Sequence, residues 1–247
     1  MATVESHGVI IDYEILNPER NETPVFFISG LGGIRSSWVK QLSPFMSRGP
    51  VVLHDHRGTG KSEKPSGVYS VEKMAEDIIT IMDDLSIEKA HMVGTSTGGA
   101  IIQVLCIKFR KRIQSGVIAS SWPKSDPYFI RQFEIRKEIL LNMGWKTHNR
   151  LSSFTLYSPE YFSNNFKEIQ EFRKPYRQNV LVFYLWELFS SLLTPSIQGQ
   201  RDPRIKISYH AQFAFLPKAD GRNAIPYQNP YIRRFRRRFS SELQTHT

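Results

Sequence analysis

The chain has 247 residues, a formal net charge of +10 at neutral pH and 40% hydrophobic residues. Its length suits one α/β domain or a domain with an insertion, and its apolar runs are too short for a membrane span. The first residues lack the basic and apolar regions of a signal peptide, and the single cysteine, Cys106, excludes an intrachain disulfide. These features together predict a cytoplasmic protein.

The positive charge is concentrated near the C-terminal end. Residues 201–247 hold ten lysines and arginines against three acidic residues, and five of those arginines lie in "YIRRFRRRF" at 231–239. Such a run can bind nucleic acid or an anionic membrane surface, but no recognised nucleic-acid-binding module accompanies it. Any expectation of an acidic partner is therefore confined to this segment.

Apolar runs and helical spacing alternate along the first part of the chain. Strands are predicted at 8–16, 23–30, 50–56, 89–96 and 115–121, and helices at 69–87, 99–109 and 127–145. This alternation indicates a mostly parallel sheet with helices on both faces. In such sheets the functional groups collect in the loops at the carboxyl ends of the strands.

One of these loops, "DHRGTGKS" at 55–62, contains letters that look like a P-loop. The pattern G-x-x-x-x-G-K-[ST] needs a glycine at position 55, where this chain has Asp55, whose carboxylate would repel phosphate. A P-loop also opens a helix, whereas Pro65 and Gly67 follow here. The loop is therefore not predicted to bind a nucleotide.

A second loop carries the motif G-x-S-x-G, from Gly94 through Ser96 to Gly98, between a predicted strand and a predicted helix. A serine on so tight a turn projects its hydroxyl above the sheet, and the two glycines leave room for the strained backbone. The sequence thus predicts Ser96 as a catalytic nucleophile. The alternative is that Ser96 is only a small turn residue.

A nucleophilic serine needs hydrogen-bond donors for the oxyanion that develops on its substrate. The N–H of Thr97, at the start of the following helix, is one predicted donor. The other is expected from "SGLGG" at 29–33, where Leu31, next to Gly30, is the best candidate.

Four phrases in this order, "FISGLGGIRSSWVKQL", "HDHRGTGKSEKP", "YSVEKMAEDI" and "MVGTSTGGAI", together resemble an α/β-hydrolase. More narrowly they resemble the group of 3-oxoadipate enol-lactonases and aminoacrylate hydrolases, over about residues 9–182. The resemblance implies an α/β-hydrolase core at 1–121, a helical cap at 122–200 and a divergent basic segment at 201–247. In these hydrolases D-x-R-G-x-G-x-S is a structural turn, matched here by Asp55, Arg57, Gly58, Gly60 and Ser62, and Lys61 is then a solvated lysine.

The predicted cap is rich in aromatic residues. Most are expected to form its core, and a few to line an apolar roof over Ser96. They are Phe154, Tyr157, Tyr161, Phe162, Phe166, Phe183, Tyr184, Trp186 and Phe189.

The resemblance implies an acid and then a histidine after the serine, but the family's phrases for both are absent, and similarity ends near residue 184. Asp220 followed by His246 is a candidate pair in the right order, preceded by a possible strand at 207–216; His210 is the other late histidine. The alternative is that these residues belong to a poorly ordered tail. His54, His56 and His91 lie beside predicted strands and are interpreted as structural.

The abrupt end of the similarity suggests a replaced C-terminus, for example through a shifted reading frame, with the late strands of the sheet missing. Two functions therefore stay open. The first is a serine hydrolase that acts on a small ester, enol-lactone or carbamate-like metabolite through an acyl-enzyme on Ser96, with no metal or other cofactor. The second is a catalytically impaired homologue whose basic tail binds anionic partners. The oligomeric state is not predicted.

Overall fold

The computed structural model describes residues 2–67, 69–122, 125–172 and 205–208, which lie within one compact unit, Met1–Ala214. Among these described residues, seven strands form one sheet in the order β1-β2-β4-β3-β5-β6-β7. Strand β2 runs antiparallel to β1 and β4, and every other neighbouring pair is parallel. The strands are β1 (Ala2–Ser6), β2 (Val9–Leu16), β3 (Val25–Ile28), β4 (Val51–His54), β5 (Ala90–Thr95), β6 (Ile113–Ala119) and β7 (Ile205–Ser208).

Six α-helices are present in the described part of the chain: α1 (Ser43–Met46), α2 (Val71–Asp84), α3 (Thr97–Lys108), α4 (Pro127–Leu156), α5 (Pro159–Asn164) and α6 (Phe166–Phe172). Helix α2 begins after Ser70, whose side chain accepts a hydrogen bond from the N–H of Lys73 and so caps the first turn. Helix α4 is interrupted at Gly144, where φ is +75°. The helix predicted at 127–145 ends at this break.

The core lies between the central strands and the helices that cover them. Phe26 of β3, Val52 of β4 and Met92 of β5 are fully buried, together with Ile78 of α2 and Ile101 of α3. Strands that are apolar on both faces require cover on both sides, as the sequence predicted. The fold class, a mostly parallel sheet flanked by helices, is confirmed.

The two ends of the sheet differ from the prediction. Strand β1 was not predicted, because its short and mostly exposed sequence lacks a buried alternation. The expectation that late strands are missing is wrong for β7, which pairs with β6 in parallel register. Residues 205–208 of the predicted segment 201–247 thus belong to the sheet. Its remainder, including Asp220, His246 and the basic run 231–239, lies outside the described residues.

The described part of the predicted cap consists of α4, α5 and α6. Of the aromatic residues predicted to form its core, none that the structure describes is buried, and Phe154 is 69% and Phe166 51% exposed. Phe154 instead stacks on Phe162, with ring centroids 4.9 Å apart, and Tyr157 stacks on Tyr161 at 5.5 Å. The aromatic residues at 183–189 lie outside the described residues. No helix within the described ranges has the length and apolarity needed to cross a membrane.

Candidate active site

Ser96 lies on the turn between β5 and α3, at the carboxyl end of a central strand. Its backbone has φ +52° and ψ −118°, a combination that non-glycine residues rarely adopt. The turn is held by hydrogen bonds, since the Ser96 N–H donates to the carbonyl of Ala119 at 2.9 Å and the Ser96 carbonyl accepts from the N–H of Gly99 at 2.9 Å. The side chain is half-buried, and no described residue hydrogen-bonds its hydroxyl.

The two glycines of the motif are required by close packing. A Cβ on Gly94 would lie 2.5 Å from the carbonyl oxygen of Gly98, and a Cβ on Gly98 would lie 2.1 Å from the carbonyl oxygen of Ile28. Both contacts are with backbone, which cannot move aside. The turn therefore brings α3 against β3 only because both positions lack a side chain.

The loop after β3 lies beside Ser96 because of the register between two parallel strands. Ile28 of β3 pairs with Gly94 of β5, so the residues two places further along, Gly30 and Ser96, are also neighbours. A Cβ on Gly30 would lie 3.2 Å from Cβ of Ser96 and 3.8 Å from its Oγ. The sequence-predicted glycine loop and the predicted nucleophile therefore meet.

The same loop makes a tight turn beside Ser96. The N–H of Gly33 donates to the carbonyl of Gly30 at 2.9 Å, and Gly32 has φ +69°, which defines a type II turn with Leu31 at its second position. No described residue accepts a hydrogen bond from the Leu31 N–H, and the same holds for the N–H of Thr97 at the start of α3. Both predicted oxyanion donors are thus available in the described structure.

Two buried hydroxyl groups that the sequence did not predict lie near the elbow, the tight turn at Ser96 between β5 and α3. Oγ1 of Thr97 and Oγ of Ser121 have no hydrogen-bond partner among the described residues. Ser121 follows β6 and packs where a Cβ on Gly99 would lie, 2.6 Å from the Ser121 Cβ. No local sequence signal marks Ser121, because its position beside α3 depends on the pairing of β5 with β6.

The loop after β4 is a structural turn rather than a phosphate site. The Asp55 carboxylate accepts from the N–H groups of Arg35 at 2.8 Å and Lys61 at 2.9 Å, so it occupies the place where a P-loop would cradle an anion. The Ser62 hydroxyl donates to the Asp55 carbonyl at 2.6 Å. Gly60 has φ +52°, and a Cβ there would lie 2.0 Å from Oδ2 of Asp55. Lys61 is exposed, as predicted for a solvated lysine.

A buried ion pair fastens this turn to helix α2. The guanidinium of Arg57 donates from Nε to Asp77 at 2.8 Å and from Nη2 at 2.5 Å, and both side chains are almost completely buried. Sequence reasoning did not single out Asp77, although an acidic residue among the apolar residues on the buried face of α2 is the signal that would have found it.

His54 and His56 are buried beneath the same loops. Nε2 of His54 lies 3.2 Å from Nδ1 of His56, and Nε2 of His56 lies 2.9 Å from the carbonyl oxygen of Ser29. Burial, above all, lowers the pKa of His54 well below its ordinary value and lowers the pKa of His56 as well. His91, predicted to be structural too, makes a bond of 2.7 Å between its Nδ1 and Oγ of Ser115.

The general base and the acid of a serine hydrolase are not assigned within the described ranges. None of the described histidines hydrogen-bonds Ser96, and the candidates His210, Asp220 and His246 lie outside those ranges. No cluster of three potential metal ligands occurs among the described residues.

Comparison with known proteins adds independent support for the fold. A family model described as the alpha/beta hydrolase fold matches residues 23–219, which extends beyond residue 182, where the sequence resemblance was placed to end. A protein named "Putative carbamate hydrolase RutD" from Caulobacter segnis is 36% identical over 158 residues, covering 63% of this chain and 59% of that protein. Its namesake from Azorhizobium caulinodans is 34% identical over 149 residues, covering 60% and 56%. This chain thus spans less than two thirds of the length of these curated relatives.

Solved structures with this fold include two that align over most of the chain. The enol-lactonase from Burkholderia xenovorans LB400 aligns with a TM-score of 0.71 and 20% identity, covering 79% of this chain and 74% of that one. A hydrolase from Pseudomonas aeruginosa PA01 aligns with a TM-score of 0.70 and 22% identity, covering 79% and 73%. With the strand order and the elbow at Ser96, the match over residues 23–219 establishes that this chain belongs to the α/β hydrolase fold family.

Proposed function

We propose that this chain is a serine hydrolase in which Ser96 attacks a small ester, enol-lactone or carbamate-like substrate and forms an acyl-enzyme. The observation that carries the proposal is the strained backbone of Ser96, at φ +52° and ψ −118°. Such a conformation costs about 1–3 kcal/mol and persists where the surroundings enforce it, most often at functional sites. Here the hydrogen bonds of the Ser96 N–H to Ala119 and of the Gly99 N–H to the Ser96 carbonyl hold the turn, and Gly94 and Gly98 permit the close packing around it.

The arrangement around Ser96 supports stabilisation of a negative charge. The N–H groups of Leu31 and Thr97 have no acceptor among the described residues, and Gly30 packs directly against the serine side chain. In the proposed mechanism these two N–H groups bind the oxyanion of the tetrahedral intermediate, and the amino end of α3 adds its positive dipole.

The reaction needs a base that accepts the Ser96 proton and later activates water. His246, oriented by Asp220, is the candidate pair in the required chain order, and His210 is the alternative base. The substrate class rests on the relatives, whose names indicate carbamate hydrolysis, and on the enol-lactonase with the same fold. The proposed chemistry needs no cofactor. The Ser96 oxygen bonds to the acyl carbon and expels the alcohol or amine group, water then displaces the Ser96 oxygen, and the base takes up and returns a proton in each step.

Covalent labelling with a fluorophosphonate, read out by intact mass, tests the proposal. We expect one rapid addition to the unmodified protein and none to Ser96→Ala. Ser86→Ala is the matched control, because Ser86 has φ +54° and lies before the opposite, amino end of β5. It should be labelled like the unmodified protein. No labelling of a protein with an intact melting transition would contradict the proposal and leave a hydrolase fold without an activated serine.

The same assay assigns the base. His246→Gln and His210→Gln each replace one late histidine, and only loss of the true base should slow labelling, by several orders of magnitude. Equal labelling of both variants would show that neither histidine activates Ser96.

A further inference from the structure

We propose that His56 is a positioning residue, which holds the Ser29 carbonyl and thereby sets the direction of the backbone N–H groups in the glycine loop beside Ser96. This inference rests on the proposed serine-hydrolase function. It assigns a second role to the turn after β4, which otherwise fastens the sheet to α2.

The hydrogen bonds determine where the protons of the two imidazoles lie. A carbonyl oxygen only accepts, so the 2.9 Å contact with Ser29 requires a proton on Nε2 of His56. In a neutral ring Nδ1 is then unprotonated and accepts from Nε2–H of His54 at 3.2 Å. His54 therefore has an unprotonated Nδ1, which is buried without a partner among the described residues.

The neutral state follows from the surroundings of both rings. Burial is the main cause that lowers the pKa of each imidazole, and the nearby Arg35 lowers that of His54 further. For His56 the bond to Ser29 and the carboxylates of Asp77 and Asp55 act in the opposite direction without reversing the shift. At neutral pH each ring therefore has one N–H, as the chain of bonds requires.

The bond to Ser29 controls the adjoining peptide groups. A peptide is planar, with its C=O and N–H pointing in opposite directions, so fixing the Ser29 carbonyl fixes the N–H of Gly30. The next carbonyl, that of Gly30, is held by the N–H of Gly33 at 2.9 Å, which sets the N–H of Leu31. His56 thus anchors the first of the two consecutive peptides beside Ser96.

A second contact anchors the side chain of the same residue. Nε1 of Trp38 donates to Oγ of Ser29 at 2.9 Å, and Ser29 is itself buried. Ser29 is thus held on its carbonyl and on its side chain by two different loops. Packing alone does not explain a buried histidine pair with one unpartnered nitrogen, because an apolar pair would fill the space without that cost.

Two substitutions separate the hydrogen bond to Ser29 from the bond to His54. His56→Gln places an amide N–H near the position of Nε2 and can still donate to Ser29. His56→Asn places its amide near Nδ1 and can still accept from His54, but it does not reach Ser29. Both variants lose the imidazole. A difference between their labelling rates therefore reports the effect of the N–H group that donates to the Ser29 carbonyl.

The kinetics of fluorophosphonate labelling are measured over a range of probe concentrations. We expect His56→Asn to lower the maximal labelling rate about tenfold to a hundredfold with little change in the half-saturating concentration, because misdirected oxyanion donors affect the chemical step. His56→Gln should stay within about fivefold of the unmodified protein. Equal rates in the two variants, whether fast or slow, would overturn the inference.

The tautomers are measured on the unmodified protein by nitrogen-15 spectra of the histidine rings. We expect a protonated Nε2 and an unprotonated Nδ1 in both His54 and His56, and an unprotonated Nε2 in His56 would overturn the inference even if no variant folds. If the unmodified protein is not labelled at all, the proposed function fails, and the backbone amide resonances of Gly30 and Leu31 decide the positioning role. Displacement of both in His56→Asn but not in His56→Gln supports it, and unchanged resonances in both variants overturn it.

Discussion

Two glycine-rich turns at the carboxyl end of the sheet differ in how their polar groups are paired. The turn after β4, residues 55–62, is saturated with hydrogen bonds, since the carboxylate and carbonyl of Asp55 accept from Arg35, Lys61 and Ser62. The turn after β5 holds Ser96 in a strained conformation, and no described residue hydrogen-bonds its hydroxyl. Both are rich in glycine, and both need it to avoid contacts of 2–3 Å.

The first turn satisfies its own polar groups, whereas the second turn carries the motif that we propose to be catalytic. Buried polar groups that satisfy one another contribute to stability and leave nothing for a ligand. In the second turn, backbone N–H groups and a hydroxyl have no partner among the described residues, and such groups on a strained turn are what a reaction can use. We therefore expect substitutions in the first turn to destabilise the fold, and a substitution that relieves the strain at Ser96 to stabilise it.

The largest effect is expected at the buried ion pair of the first turn. Asp77→Asn leaves the guanidinium of Arg57 buried without its counter-charge, which should lower the free energy of unfolding by about 3–5 kcal/mol. Urea denaturation measures the change. Asp83→Asn is the control, because Asp83 pairs with Arg112 at 2.7 Å but is 61% exposed, and its loss should cost less than about 1 kcal/mol. Equal losses in the two variants would show that burial does not set the strength of the Arg57 pair.

The glycine of the first turn should show the next largest effect. Gly60→Ala strains a residue at φ +52° and forces the Asp55 carboxylate from its hydrogen bonds, a combined loss of about 3 kcal/mol. Gly8→Ala is the control, because Gly8 has φ +75° with no atom within 4 Å of an added Cβ, and it should cost only about 1 kcal/mol. Thermal unfolding compares the two, and a Gly60 variant no less stable than the Gly8 variant would refute the role of the Asp55 contact.

The smallest expected change has the opposite sign and concerns the second turn. Ser96→Gly relieves the strained backbone and should raise the free energy of unfolding by about 1 kcal/mol after the entropy cost of glycine, while fluorophosphonate labelling is lost. Ser86→Gly also relieves a positive φ and should be slightly stabilised, but it should retain labelling. If Ser96→Gly lowers stability, strain is not stored at the elbow, and the contrast between the two turns fails.

Some features could be predicted from the sequence because neighbouring residues determine them. The spacing of Val71, Met74, Ile78 and Met82 predicted α2, which spans Val71–Asp84, within a few residues. The motif around Ser96 predicted a strand–turn–helix, since only glycine tolerates the close contacts at its flanks. These are local constraints, and a short stretch of sequence carries them completely.

Other features depend on residues that the fold brings together. Gly30 lies beside Ser96 because Ile28 and Gly94 pair in register, and the ion pair between Arg57 and Asp77 joins a loop to a helix twenty residues away. The bond from His56 to Ser29 likewise joins the ends of two neighbouring parallel strands. By itself, then, the sequence determined the tight strand–turn–helix at Ser96 and the alternation of strands and helices, since these follow from local backbone geometry. Only the tertiary structure decided what surrounds Ser96, because strand pairing and burial bring together groups that the sequence keeps apart.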